Sequence, residues 1–119
     1  MILNFGHTLG HAIENAAAFR YHHGESVALG MRMAAYISAE RRMLPPGDVR
    51  RINDLLSSIG LPETYTGLSK DKIIASMSHD KKFVAGKNRF VLAKRIGKVE
   101  VVEGVAQAMI DDAIRKFKK

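Results

Sequence analysis

The sequence predicts a mainly α-helical fold with one small β-hairpin. Apolar residues recur at three- and four-residue spacing in segments separated by glycine and proline, which is typical of amphipathic helices. Residues around Gly97 alternate as strands do. At 119 residues, 46% of them hydrophobic and 26% charged, the chain suits a single domain, residues 1–119, with its own core.

Five helices are expected, and each has a start or stop signal. They span residues 9–18, 25–43, 48–59, 69–79 and 105–117. Thr8, Asp48 and Ser69 are the predicted N-caps, because their side-chain oxygens can accept from free backbone N–H groups. Pro45-Pro46-Gly47 is expected to end the second helix, and Gly60 the third. The hairpin is predicted over residues 89–96 and 98–102.

Two of these helices have informative faces. In the second, small residues would let another backbone pack closely; they are Ala28, Gly30, Ala34, Ala35 and Ala39. In the third, helical spacing predicts one core-facing apolar stripe, made of Val49, Ile52, Leu55, Leu56 and Ile59.

Charge and cysteine content exclude several classes. The net charge is +7, and the run from Lys81 to Lys98 carries seven basic residues and no acidic one, so it attracts anions. The absence of cysteine excludes a disulfide framework, thiolate metal sites and a cysteine nucleophile. The sequence has neither a signal peptide nor an apolar run of membrane-spanning length, so a cytoplasmic location and no membrane partner are expected.

Three histidines lie near the start of the chain. His7 and His11 are four residues apart on a predicted helix and share a face, while His23 lies on the following loop. Neutral imidazole is a common zinc ligand. These residues allow a metal site built from His7, one other histidine, and Glu14 or Glu25. From the residues alone, structural roles are favoured over a metal site, and Glu25 in particular would complement the dipole of its helix.

The start of the first helix also suits an anion. Gly6 and Gly10 leave backbone N–H groups bare, and the helix dipole favours negative charge there. Asn4 can both donate and accept hydrogen bonds just upstream. A tight turn entering a helix explains the same residues.

Three motifs, in order, resemble those of the 3-dehydroquinate synthases, a family of sugar-phosphate cyclases. The segment LNFGHTLGHAIE, residues 3–14, is similar to the central signature of that family. HGESVALGM, residues 23–31, resembles the second signature. A third match is Asp80-Lys81-Lys82, followed by RFVL at residues 89–92 and by Ile96-Gly97.

The resemblance implies the helical C-terminal domain of the dehydroquinate synthase-like fold. Members of the family are enzymes that convert 3-deoxy-D-arabino-heptulosonate 7-phosphate to 3-dehydroquinate and phosphate in the shikimate pathway. They use NAD and a divalent metal ion, zinc or cobalt, and are typically homodimers. The N-terminal NAD-binding domain and a third metal ligand, a glutamate, are expected outside this chain, so the chain alone is expected to be inactive.

The resemblance also implies roles for individual residues. His7 and His23 match two metal ligands, and His11 matches a histidine that faces the substrate. Asn4 matches a substrate-contacting asparagine. Lys81 or Lys82 matches the lysine that binds the substrate phosphate, and Lys81 is favoured.

Two alternatives stay open at this level. One is a domain of a sister cyclase, of the 2-deoxy-scyllo-inosose or epi-valiolone synthase type, acting on a different sugar phosphate. The other is a non-catalytic, basic helical module that binds nucleic acid or a partner. The Lys81–Lys98 run is a poor nucleic-acid site, because its two aromatic residues, Phe83 and Phe90, suit the core. No nucleic-acid partner is therefore expected.

Overall fold

A computed structural model describes residues 6–17, 21–78, 89–95 and 98–119. Within them the chain forms five helices and an antiparallel two-stranded sheet, which confirms the predicted fold class. The elements are α1 His7–Ala16, α2 His23–Glu40, α3 Pro46–Ser58, α4 Lys70–Ser78, β1 Arg89–Arg95, β2 Lys98–Glu103 and α5 Gln107–Lys116. Among the helices described, none is both long and apolar enough to cross a membrane.

Helix α2 lies at the centre of the fold. It contacts α1, α3, α5 and β1, and its apolar residues Leu29, Met33 and Ile37 are fully buried. Because neighbours cover several of its sides, α2 buries residues all round its circumference, as central helices do. The first turn of α2 lies against α1, and packing along the rest of the helix fixes its position there.

Glycines let α1 and α2 approach to backbone contact. A Cβ on Gly30 would lie 2.1 Å from the carbonyl oxygen of Gly6 and 2.6 Å from the amide nitrogen of Gly10. A Cβ on Gly10 would meet the Cα of Val27 at 3.1 Å. The prediction that Gly30 permits close backbone packing is confirmed.

Two predicted N-caps are wrong. Helix α1 begins after Gly6, whose φ of 82° suits glycine, and Thr8 lies buried inside the first turn. Helix α3 begins at Pro46 after an extended Pro45, so Asp48 belongs to its first turn. Pro46 therefore starts α3, consistent with the preference of proline for the first helical position, where its missing N–H costs nothing.

Both α2 and α3 end in the same hydrogen-bonded turn. After α3, the Leu61 N–H donates to the Leu56 carbonyl at 3.0 Å around Gly60, which has φ of 84°. The stop predicted at Gly60 is confirmed. After α2, the Met43 N–H donates to the Ser38 carbonyl at 2.9 Å around Arg42, a non-glycine residue with φ of 59°. Helix α2 thus ends at Glu40, three residues earlier than predicted.

The apolar stripe predicted on α3 is only partly buried. Leu56 is buried, but Leu55 and Ile59 are 62% and 65% exposed. Helix α3 packs mainly on α2, so only a narrow strip of its surface is covered. The prediction that Leu55 and Ile59 face the core is wrong.

A buried arginine ties α2 to the end of α3. Arg32 is only 2% exposed, and its guanidinium donates to the carbonyl of Pro62 at 2.9 Å and to the side-chain oxygen of Asn53 at 3.0 Å. It also donates to the Ser57 hydroxyl at 3.2 Å. Burial lowers the pKa of Arg32, and the nearby Glu63 carboxylate opposes that shift.

The hairpin is held against α2. Phe90 pairs with Val102 and Leu92 with Glu100 in the ladder, and both β1 side chains are buried. The Ser38 hydroxyl accepts from the Ala93 N–H at 3.0 Å and donates to the Ala34 carbonyl at 2.7 Å. This hydroxyl links α2 directly to β1, and the hairpin prediction is confirmed.

The last helix is anchored by Tyr65. The Tyr65 hydroxyl donates to the carbonyl of Ile114 at 2.7 Å, and its backbone pairs with the residues after α5. Burial raises the pKa of Tyr65, with a smaller contribution from Tyr21.

Candidate metal and substrate site

Three histidine rings converge where α1 meets the start of α2. The ring centroids of His7 and His11 are 5.2 Å apart. His23 lies 6.4 Å from His7, nearly edge-on at 73°, and 6.2 Å from His11. The predicted clustering of these histidines is therefore present in the described part of the chain.

Local sequence explains why the rings meet. His7 and His11 are one helical turn apart on α1 and project from the same face. Gly6 starts that helix in the left-handed conformation, and the close contact at Gly30 draws α2 onto α1. His23 is the first residue of α2, so the packing of α2 on α1 places its ring beside those of His7 and His11.

The entry to α2 is fixed from a second side by Tyr21. Its hydroxyl accepts from the Thr66 N–H at 2.9 Å and donates to the Thr66 carbonyl at 3.2 Å. Tyr21 lies two residues before His23, so this bridge restrains the chain leading into the cluster. This contact joins positions 45 residues apart, so no local pattern in the sequence indicates it.

One acidic residue completes the cluster. The Nδ1 atom of His23 lies 3.0 Å from Oε2 of Glu14 on α1. The Glu14 side chain is 17% exposed and that of His23 is 62% exposed, so the carboxylate is the more enclosed partner. His7 and His11 are four residues apart and His11 and Glu14 three, so the three side chains share one helical face. This spacing is the sequence signal that points to Glu14 as a neighbour of the histidines.

Glu25, the other acidic residue that the sequence left open, has a different contact. Its Oε1 accepts from the backbone N–H of His22 at 2.8 Å, across the first turn of α2. The contact satisfies a backbone donor at a helix start, and the negative charge complements the helix dipole. Of the two carboxylates, the one that contacts the histidine cluster is Glu14.

The remaining predicted site residues, Asn4, Lys81 and Lys82, lie outside the described residues. Within the described ranges, no group of three or more histidine, aspartate or glutamate side chains is arranged to hold a metal ion. The donor chemistry of His7 and His23 suits zinc or cobalt, and a carboxylate on the second nitrogen of a ligand histidine is common in such sites. A cation here would need a ligand beyond those that the described residues bring together.

Solved structures show which class of protein has this fold. The chain superposes on 2-deoxy-scyllo-inosose synthase, solved with carbaglucose-6-phosphate, NAD⁺ and Co²⁺, with a TM-score of 0.86 and 30% identity. It also superposes on the 2-epi-5-epi-valiolone synthase of Streptomyces hygroscopicus subsp. jinggangensis, solved with NAD⁺ and Zn²⁺, with a TM-score of 0.85 and 25% identity. Both alignments cover 98% of this chain, and 35% and 32% of those proteins. The architecture is that of one helical part of the sugar-phosphate cyclases.

Sequence comparison then gives the family. A family model described as "3-dehydroquinate synthase C-terminal" matches residues 1–83, and the chain belongs to that family. It is 47% identical over 111 residues to the 3-dehydroquinate synthase of Desulforamulus reducens, and 42% identical over 109 residues to that of Corynebacterium jeikeium. Each match covers 92% of this chain but only 31% and 30% of the relative, so the chain spans about a third of the length of these relatives.

Proposed function

We propose that this chain is the metal- and substrate-binding part of a 3-dehydroquinate synthase. The reaction would convert 3-deoxy-D-arabino-heptulosonate 7-phosphate to 3-dehydroquinate and phosphate in the shikimate pathway. The observation that carries the proposal is the cluster of His7, His11 and His23 at the crossing of α1 and α2. The proposal is also supported by the 47% and 42% identity of the chain to two relatives named 3-dehydroquinate synthase.

In this proposal His7 and His23 hold a divalent cation, zinc or cobalt, with a third ligand from outside the described residues. When bound, the cation supplies a Lewis acid and NAD supplies a hydride acceptor, which together permit oxidation of a secondary alcohol. The neighbour solved with NAD⁺, Co²⁺ and a sugar-phosphate analogue supports this assignment. The family resemblance supports the choice of these two histidines.

His11 is proposed to act on the substrate. It lies beside both proposed ligands, so a substrate oxygen close to the cation would come within reach of its ring. A neutral imidazole can take a proton from a hydroxyl at one nitrogen and return it later. Asn4 and Lys81, with Lys82 as the alternative to Lys81, are proposed to hold the substrate by hydrogen bonds and by charge on its phosphate.

The chain alone is proposed to be inactive, and to act with an NAD-binding part like the one that the relatives contain, as a cytoplasmic homodimer. The experiment is a chimera in which this chain replaces the matching 111 residues of the Desulforamulus reducens enzyme. Phosphate release from 3-deoxy-D-arabino-heptulosonate 7-phosphate is then measured with NAD and zinc or cobalt, beside the 119-residue chain alone.

We expect turnover by the chimera and none by the chain. In the chimera, His7→Ala and His23→Ala should abolish phosphate release, and His11→Ala should lower kcat by about 10²–10⁴-fold. His22→Ala is the matched control, because His22 is the exposed sequence neighbour of His23 and its ring is not one of the three that converge. Turnover in a folded, metal-loaded His7→Ala chimera equal to wild type would reject the ligand assignment.

A sister cyclase is the second candidate, because the superposition on 2-deoxy-scyllo-inosose synthase has a TM-score of 0.86. The same chimera should be offered glucose 6-phosphate, whose carba analogue occupies that structure. Phosphate release from glucose 6-phosphate and none from the heptulosonate phosphate would favour the sister activity.

A further inference from the structure

We propose that Glu14 is a positioning residue that fixes the tautomer and the orientation of the His23 ring. The inference rests on the proposed function, in which His23 holds a cation. It begins from the 3.0 Å contact between Nδ1 of His23 and Oε2 of Glu14, which joins α1 to the first residue of α2.

The contact decides which nitrogen carries the proton. A carboxylate oxygen only accepts hydrogen bonds, so Nδ1 of His23 must be the donor. In a neutral imidazole the other nitrogen, Nε2, then keeps its lone pair. Metal ions bind that lone pair, so Glu14 prepares Nε2 of His23 as a ligand atom before any cation arrives.

Burial makes the constraint effective. The His23 side chain is 62% exposed, so packing alone leaves its ring free to rotate. Glu14 is 17% exposed and lies on the α1 helix, which the core holds through buried Leu9 and Ile13. The enclosed carboxylate therefore supplies the restraint that an exposed ring at a helix start otherwise lacks.

The same geometry separates Glu14 from Glu25. Both are glutamates near the start of α2, but Glu25 accepts from the His22 backbone N–H, whereas Glu14 accepts from an imidazole. Loss of Glu25 changes a helix cap. Loss of Glu14 frees the His23 ring. A variant at Glu14 therefore tests the proposal, and a variant at Glu25 is its matched control.

The first readout needs no metal ion. Long-range ¹H–¹⁵N correlation spectra of the metal-free 119-residue chain report the tautomer of each histidine, with His23 assigned through His23→Asn. We expect His23 in the Nδ1–H form in the wild type and a shift towards Nε2–H in Glu14→Ala. Glu14→Gln keeps one acceptor oxygen and should retain part of the preference, and Glu25→Gln should retain all of it. Alanine is a good helix former, so Glu14→Ala should fold.

The second readout is the affinity of the chain for Co²⁺ alone, followed by its visible absorption. Loss of an outer partner of a metal-bound histidine typically weakens binding about 10–100-fold, and we expect a loss in that range for Glu14→Ala. A wild-type His23 in the Nε2–H form, or an unchanged tautomer in Glu14→Ala, would overturn the proposal. A changed tautomer with unchanged Co²⁺ affinity would overturn the step in which Glu14 prepares Nε2 of His23 as a ligand atom.

The proposed function fails by a different result. Co²⁺ affinity unchanged in both His7→Ala and His23→Ala would remove the metal role of the two histidines themselves. Those variants leave Glu14 in place, so the two failures are distinguishable.

Discussion

Replacing Gly30 with alanine should force apart the two helices that carry the histidine cluster. The new Cβ would lie 2.1 Å from the Gly6 carbonyl oxygen and 2.6 Å from the Gly10 amide nitrogen. Carbon and oxygen in ordinary contact are about 3.3 Å apart or more, so α1 and α2 must separate by about 1 Å. Both obstacles are backbone atoms, which no rotamer change can move. A gap of that size forfeits about a quarter to a half of each dispersion contact across the crossing.

The magnitude follows from two opposing effects. Alanine gains about 1 kcal/mol of helix propensity over glycine, whereas overpacking a tight contact costs about 1–3 kcal/mol and occasionally more. Because the contact is backbone to backbone, we take the upper end of the cost. The net expectation is a loss of about 2 kcal/mol in the free energy of unfolding, or roughly 10 °C in Tm.

The assay is urea denaturation of Gly30→Ala beside Gly24→Ala. Gly24 lies in the same helix, but a Cβ there would meet nothing within 4 Å. Gly24→Ala should therefore leave stability unchanged or raise it by up to about 1 kcal/mol. Gly30→Ala should also weaken Co²⁺ binding, because His7 moves away from His23. Equal stability of the two variants would refute the reasoning.

Three further predictions concern stability. Arg32→Met should lower the free energy of unfolding by about 1–3 kcal/mol in urea denaturation, because the half-buried carbonyl of Pro62 and side chain of Asn53 lose a charged donor. Arg42→Gly should raise it by about 1 kcal/mol in the same assay, because φ of 59° suits glycine, and a decrease would contradict this. Burial raises the pKa of Tyr65, so its contribution is complete below pH of about 10 and is lost as pH rises through the folded value. Stability of Tyr65→Phe should start lower and fall less steeply at alkaline pH than that of wild type, whereas parallel curves would contradict the assignment to Tyr65.

Local signals predicted most of the elements correctly. The stop at Gly60 and the strands around residues 89–103 depend on neighbours in sequence, and the structure has them where they were expected. The two wrong caps fail for a local reason too. Thr8 and Asp48 are good cap residues, but Gly6 and Pro46 lie nearby and favour backbone angles that place the N-cap two residues earlier in α1 and three residues earlier in α3.

What the sequence could not provide is which surface each helix buries. Periodicity places Leu55 and Leu56 on the same broad stripe of α3, and only the narrow contact with α2 leaves one exposed and the other buried. Arg32 is the opposite case, a charged residue that is buried. A charged residue is expected on the surface, but the oxygens at the end of α3 satisfy its donors inside the fold.

The candidate site depends on a pattern that joins packing to chemistry. Each histidine of α1 directly follows a glycine: Gly6 precedes His7, and Gly10 precedes His11. The glycine–histidine pair therefore occurs twice, four residues apart. Successive residues on a helix point about 100° apart, which separates a glycine face from a histidine face. The glycine face admits α2 at Gly30, and the adjacent histidine face meets His23 at the start of the same helix. One added residue between the two pairs would rotate one pair against the other, so the close crossing and the cluster would be lost together.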